Sequence, residues 1–310
     1  MINKCVLVFC YNNVILKICM KVWLRMEEQK WTTIVRGQSK AKINIKELLN
    51  CKDLIFLWVR REFVAKYKQT ILGPAWAIIQ PFFTTVVYSI FFGNIAGLGP
   101  KGVPNFIFYL SGNIIWALFS GSLTSNSNTF VSNQGVFSKV YFPRLVMPIS
   151  SAISQFINFA IQFLFMIGFL FYYLFTGAGV QPNIYILMTP LVLIQFAALG
   201  MGFGVIISSM TTKYRDLQMV VGFGVSLWSY CSPVAYDMFS RNALMPGSNF
   251  YYIYMLNPVT PGINLFRYAF LGIGEIDWLY YAISWCVTIC VVLIAVKVFA
   301  KVEKTFIDTV

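Results

Sequence analysis

The side chains that usually carry catalysis or hold metals are scarce and scattered in this sequence. It has no histidine, which removes the commonest general base and the commonest metal ligand. Seven cysteines stand at 5, 10, 19, 51, 231, 286 and 290 without forming a Cys-x-x-Cys pair. Cys286 and Cys290 share one helical face, where packing is the simpler role. Outside the N-terminal segment and the C-terminal tail the carboxylates are Asp216, Asp237, Glu275 and Asp277. Only the last two are close in sequence, and they read as the outer border of an apolar segment. A membrane-bound glycosyl- or acyltransferase needs paired carboxylates or a histidine for acid–base work or metal binding, so this pattern speaks against one.

The elements that position these residues follow from where the charges are. Nineteen of the thirty-five charged residues precede residue 69, and 145–212 contains none. Charge at the centre of a bilayer is costly, so charges crowded into bands between long apolar runs mark an integral membrane protein. A spanning helix needs about 20 apolar residues. Spans are predicted at 72–95, 106–131, 149–175, 185–210, 218–236 and 278–297, the third and fourth being a hairpin whose turn is the Gly-, Pro- and Asn-rich stretch 176–183. With the N-terminus inside, only Lys101, Arg241 and Arg267 of the 24 basic residues fall outside, so both termini are expected in the cytoplasm. The net charge of +13 is then accounted for by topology, and a nucleic-acid-binding face is not required.

Residues 1–25 offer neither an uninterrupted apolar core nor a cleavage site. They are expected to be a non-native or disordered extension ahead of a true start at Met26. From 45 to 67, Leu48, Leu49, Ile55, Phe56, Val59 and Phe63 recur among basic residues, as in an amphipathic helix in the inner headgroup layer. Pro74 suits a first helical turn, whereas Pro81 is expected to kink the first span. Between spans two and three, Asn133 is a candidate N-cap and Pro143 a terminator for about two helical turns. Val136 with Val140, and Phe137 with Tyr141, place apolar residues four apart there, a face able to dock into another protein's groove. In the outer segment 237–274, Pro246, Gly247, Pro258, Pro261 and Gly262 leave room only for two short re-entrant or interfacial helices. Its Tyr251, Tyr252 and Tyr254 suit an aromatic belt at the headgroups, or stacking against sugar rings at an exit.

Several stretches together resemble the ABC-2 type permeases of polysaccharide export, the O-antigen, capsule and teichoic acid family. They are Tyr67-Lys68-Gln69-Thr70-Ile71-Leu72-Gly73-Pro74-Ala75-Trp76 with Gln80-Pro81, Lys139-Val140-Tyr141-Phe142-Pro143-Arg144-Leu145, Lys213-Tyr214-Arg215-Asp216, Asn257-Pro258, and Phe266-Arg267-Tyr268-Ala269-Phe270-Leu271-Gly272. They fall in the family's order between about residues 45 and 300. The resemblance implies an all-α membrane protein of six spans, with an N-terminal amphipathic interface helix, a cytoplasmic coupling helix and short outer gate helices between spans five and six. The domain layout is then 1–25 extension, 26–68 cytoplasmic segment and interface helix, 69–300 ABC-2 transmembrane domain and 301–310 cytoplasmic tail.

The same resemblance implies a homodimer in the bacterial inner membrane that works with two copies of a separate ATPase. The chain lacks Gly-x-x-x-x-Gly-Lys-Ser/Thr, so ATP and magnesium belong to that partner and no cofactor is expected on this chain. Coupling to the ATPase would fall to Gly135, Val136, Phe137, Lys139, Val140, Tyr141, Arg144, Lys213, Arg215 and Asp216. Apart from Lys297 at the very end of the sixth, none of the predicted spans carries the carboxylate, lysine or histidine with which secondary transporters move a coupling ion. A conduit of neutral aromatic and hydroxyl groups suits a lipid-linked sugar polymer, with Tyr88, Phe92, Trp116, Tyr172, Trp228, Tyr230 and Tyr236 as candidate lining. Tyr251, Tyr252, Tyr254, Asn257 and Pro258 are the outer gate candidates. A small-molecule or drug efflux permease of the same superfamily is the alternative, but it leaves the matches at 67–81 and 139–145 unexplained.

Overall fold

A computed structural model describes residues 50–137, 142–211, 214, 216–239 and 249–309. Residues 1–25, the interface segment before residue 50, Lys139, Val140, Tyr141, Lys213, Arg215 and Arg241 lie outside the described residues. The described part is helical throughout, with no strand among the described residues.

Helix α1 (Lys52–Tyr67) buries Trp58, Val59 and Tyr67, and packs along α6 (Val146–Phe175). Phe56, Leu57 and Val64 face outward, so the apolar residues of α1 serve two sides: one meets protein, the other is free to meet lipid. The first apolar segment opens with a tight turn, Gly73–Ala75, in which Pro74 occupies the first position. It then runs as α2 (Trp76–Tyr88) through Pro81 and widens into a π-helical turn at Ser89–Ile95. Helix α3 (Asn105–Ser127) is the hub of the fold, packed by α2, α6, α7 (Thr189–Thr211), α8 (Leu217–Tyr230) and α10 (Thr260–Leu271). Its Phe108, Tyr109, Ile114, Ile115 and Phe119 are almost wholly enclosed. Two single turns, α4 (Thr129–Ser132) and α5 (Gln134–Phe137), follow it. The segment between α8 and the last helix supplies α9 (Asn249–Leu256) and α10, followed by α11 (Trp278–Thr309) along α7.

Close helix approach in lipid depends on small residues, because no hydrophobic force separates helix–helix from helix–lipid contact. A Cβ at Gly200 would stand 2.5 Å from the Phe119 carbonyl oxygen, and one at Gly204 would stand 2.6 Å from that of Leu123. On the opposite face of α7, a Cβ at Gly202 would stand 2.9 Å from Val291 of α11. Glycine therefore brings α7 against both neighbours at once.

Among the described residues, five helical segments are long and apolar enough to cross a membrane: Gly73–Ile95, Asn105–Ser127, Val146–Phe175, Ile184–Thr211 and Trp278–Val302. The predicted second span is shorter than expected, since α3 breaks at Asn128. The predicted fifth is shorter still: α8 has 14 residues, about 21 Å at 1.5 Å each against a hydrocarbon core of about 30 Å. It ends at Tyr230 because a turn begins at Cys231 and Pro233 cannot continue the helix. The hairpin turn at 176–183 stands as expected, with Gly177 and Gly179 at φ of 66° and 78°. Its Asn183 amide nitrogens, backbone and side chain, donate to the Ala269 and Tyr268 carbonyls at the end of α10.

Candidate functional site

A groove of about 460 Å³ runs between α2, α3, α6 and α8, reaching the end of α1. On α3 its lining extends from Asn113 to Thr124, a stretch of twelve residues that covers about 16 Å along the helix. Its walls combine aromatic faces with uncharged amides. Trp76, Tyr88 and Trp116 supply the rings, while Gln80, Asn113, Gln155, Asn158 and Gln162 supply the amides. The last three sit at i, i+3 and i+7 on α6 and so share one helical face. Gly121 lets that face in, since a Cβ there would stand 2.8 Å from Gln155 Oε1.

Some of these amides are held in place. Asn113 Nδ2 donates to Thr85 Oγ1 (3.0 Å), Asn158 Nδ2 donates to Gln155 Oε1 (3.1 Å), and the Tyr67 hydroxyl donates to Asn158 Oδ1 (2.9 Å). Gln162 Oε1 is buried with no hydrogen-bond partner among the described residues. At the mouth, Lys66 Nζ lies 3.4 Å from Asn158 Oδ1. Here the groove adjoins a chamber of about 330 Å³, which shares Lys66, Tyr67, Gln155 and Asn158 with it. Glu62 lines that chamber, and burial raises the pKa of its carboxyl. Such a surface offers flat apolar rings for stacking beside paired donors and acceptors for hydroxyl groups, with one cation at its end.

Of the residues singled out in the sequence as lining, Tyr88 and Trp116 face this groove. Phe92 packs on Tyr88 with ring centroids 5.2 Å apart. Tyr172 is 59% exposed, far along α6, and Tyr230 is 55% exposed at the end of α8. Trp228 is wedged edge-on between Phe119 and Phe203, and Tyr236 packs against Tyr254. The groove amides went unnoticed in the sequence because a hydropathy reading passes over neutral polar residues. Their spacing of three and four in α6 is the signal that would have found them.

At the end of the molecule formed by α9 and α10, Tyr251 is buried against Met238 and Met255, whereas Tyr252 is exposed. Asn257 is a junction: its Oδ1 accepts from Trp228 Nε1 (3.1 Å) and from the Val259 amide (3.2 Å), while its Nδ2 donates to the Cys231 carbonyl (3.1 Å) and Ser232 Oγ (2.9 Å). The Pro258 carbonyl accepts from the Ser284 hydroxyl of α11. Asp237 Oδ1 accepts from the Phe239 amide, and Asp277 Oδ1 accepts from the Leu279 amide at the start of α11. These two carboxylates thus serve backbone turns.

At the opposite end, Val136 of α5 and Phe142 pack on a second apolar cluster built from Trp58, Phe130, Val146, Met147, Val205, Ala295 and Phe299. The Asn133 side-chain amide donates back to the Thr129 carbonyl (3.0 Å). Gly135 is exposed. Arg144 lies in the turn before α6, and Asp216 directly precedes α8. Phe137 ends α5.

The chain matches the ABC-2 type transporter family over residues 53–271. A relative named O-antigen export system permease protein RfbA from Klebsiella pneumoniae is 26% identical over 271 residues, covering 87% of this chain and 98% of the relative. A protein of the same name from Myxococcus xanthus is 26% identical over 195 residues, covering 63% of this chain and 72% of its own.

Proposed function

The chain belongs to the ABC-2 type transporter family, and from that premise we propose that it is the membrane subunit of an ATP-driven exporter of a lipid-linked polysaccharide. The observation that carries this reading is the groove along α3, lined by Trp76, Tyr88 and Trp116 with five amides. Its rings and amides match the apolar C–H faces and hydroxyls of sugar units, and its length of about 16 Å follows the helix axis. The names of the relatives support the same substrate class.

A second copy of the chain completes the path. The outer faces of α2 and α8, which border the groove, expose Phe83, Val87, Met219, Phe223 and Leu227. Only Val221 of α8 is buried, so α8 has a face for a neighbour and few contacts of its own. In this reading α8 and the turn after it form the fifth of six crossings, both termini are cytoplasmic, and the protein sits in the bacterial inner membrane. Helix α1 lies at the inner headgroup layer. Helices α9 and α10 close the outer end, with Tyr251, Tyr252, Tyr254, Asn257 and Pro258 at the gate. The segment around α5, with Arg144, Lys213, Arg215 and Asp216, is the surface for two copies of an ABC ATPase, which supplies ATP and magnesium chemistry.

Reconstitution tests the function. Proteoliposomes holding the chain and its ATPase are expected to translocate a lipid-linked polysaccharide only with ATP. ATP-dependent efflux of small apolar drugs with no movement of the polymer would overturn the substrate class. Topology is checked separately by impermeant thiol labelling in a cysteine-free background. Lys101→Cys and Arg241→Cys should react from outside, whereas Lys139→Cys, Lys213→Cys and Lys304→Cys should not. Outside labelling at 139 would overturn the orientation.

A further inference from the structure

Arg267 of α10 is the most enclosed charge among the described residues, at 3% exposure. The sequence placed it with the outer charges, but the fold draws it inside. Its guanidinium lies 3.7 Å from the centroid of the Phe108 ring. One fork nitrogen, Nη2, donates to the Val234 carbonyl at 2.9 Å, and the other, Nη1, donates to the Pro233 carbonyl. Asp237 is close enough to act on it electrostatically. The fork fits because residue 112 of α3 is glycine: a methyl there would run into Nη2 and come within 3.2 Å of the Val234 oxygen.

The 231–234 turn that receives this fork ends α8. It is held a second time, from the linker between α9 and α10, by Asn257 on the Cys231 carbonyl and Ser232 hydroxyl. Every residue of the turn thus accepts a hydrogen bond from the outer helical pair. An apolar side chain would fill the same space without the desolvation penalty of a buried charge. What the guanidinium adds is a planar, two-point hold on consecutive carbonyls, which an ammonium does not reproduce. Buried ionisable groups at membrane depth are by default candidates for function.

We propose that Arg267 is a positioning residue that locks the outer end of α8 to α10, so that α8, α9 and α10 move as one body when the conduit opens outward. The proposal rests on the reading of α9 and α10 as the outer closure. Motion of α8, the helix bordering the groove, then reaches the closure through backbone carbonyls without slack.

The test compares Arg267→Lys, which keeps the charge but loses the fork, with Gly112→Ala, which leaves Arg267 intact and displaces its fork. In the full chain reconstituted with its ATPase, each is expected to lower polysaccharide transport at least tenfold while ATP hydrolysis continues. Amide hydrogen exchange at 231–235 should accelerate at least tenfold, with amides 195–208 of α7 unchanged. The double variant should be no worse than the poorer single variant, because both remove one contact. Unchanged exchange at 231–235 in both variants would overturn the lock, as would acceleration spread through α3 and α7 or a multiplicative double variant. Faster exchange confined to the turn with normal transport would overturn instead the reading of α9 and α10 as the closure.

Discussion

Gln162→Leu is expected to cut polysaccharide transport about tenfold while leaving the protein as stable as before, or more so. The two effects have different origins. Gln162 Oε1 is buried with no partner among the described residues, and a buried acceptor left unbonded costs about 1–3 kcal/mol. Replacing the amide by an apolar group of similar size removes that cost. Gln162 also lines the groove, and in the proposed function its amide meets a sugar hydroxyl when the substrate enters, so its loss weakens the hold on substrate by about 1.4 kcal/mol for each factor of ten. Trp116→Ala should also lower transport by tenfold or more, since an aromatic face covered by substrate contributes roughly 1.5–3 kcal/mol. Trp116 additionally packs on Phe119 with centroids 5.2 Å apart, so this variant is expected to lose some stability as well. The checks are transport in proteoliposomes, basal ATP hydrolysis and thermal unfolding in detergent. A Gln162→Leu protein that unfolds at lower temperature yet transports normally would show the amide to be structural.

Gly204→Val is expected to damage the fold itself. The Cβ alone would stand 2.6 Å from both the Leu123 carbonyl oxygen and Asn126 Cβ, and α3 cannot yield there without opening the centre of the molecule. Overpacking of this kind costs about 1–3 kcal/mol and sometimes more, which for a chain of this length corresponds to a fall of roughly 2–5 °C in unfolding temperature. Gly200→Val should behave alike, because the two glycines lie one turn apart on the same contact. Gly168→Val on α6 is the control: nothing lies within 4 Å of its Cβ position, and its unfolding temperature should not change. Equal unfolding temperatures for all three variants would refute the close approach of α7 to α3.

The sequence alone determined the solvent, because charge placement is an energetic statement about lipid that needs no fold. Long apolar runs and the Gly- and Pro-rich turn at 176–183 likewise located the segments now seen as Val146–Phe175 and Ile184–Thr211. The resemblance at 67–81 and in the later stretches pointed to the family that residues 53–271 match.

Which way each segment faces was decided only by the tertiary structure. Tyr88 and Tyr172 look equivalent in sequence, but one lines the groove and the other is 59% exposed on α6. Arg267 counted as an outer charge, yet α10 folds inward and encloses it. Gln155, Asn158 and Gln162 gain a role only because Gly121 lets their face approach α3. The reason is physical. A helix in lipid is apolar on every side, so its hydrophobic pattern does not say which face meets protein. That choice falls to contacts between distant residues, such as Gly204 with Leu123 or Arg267 with Val234, which exist only once the helices have packed.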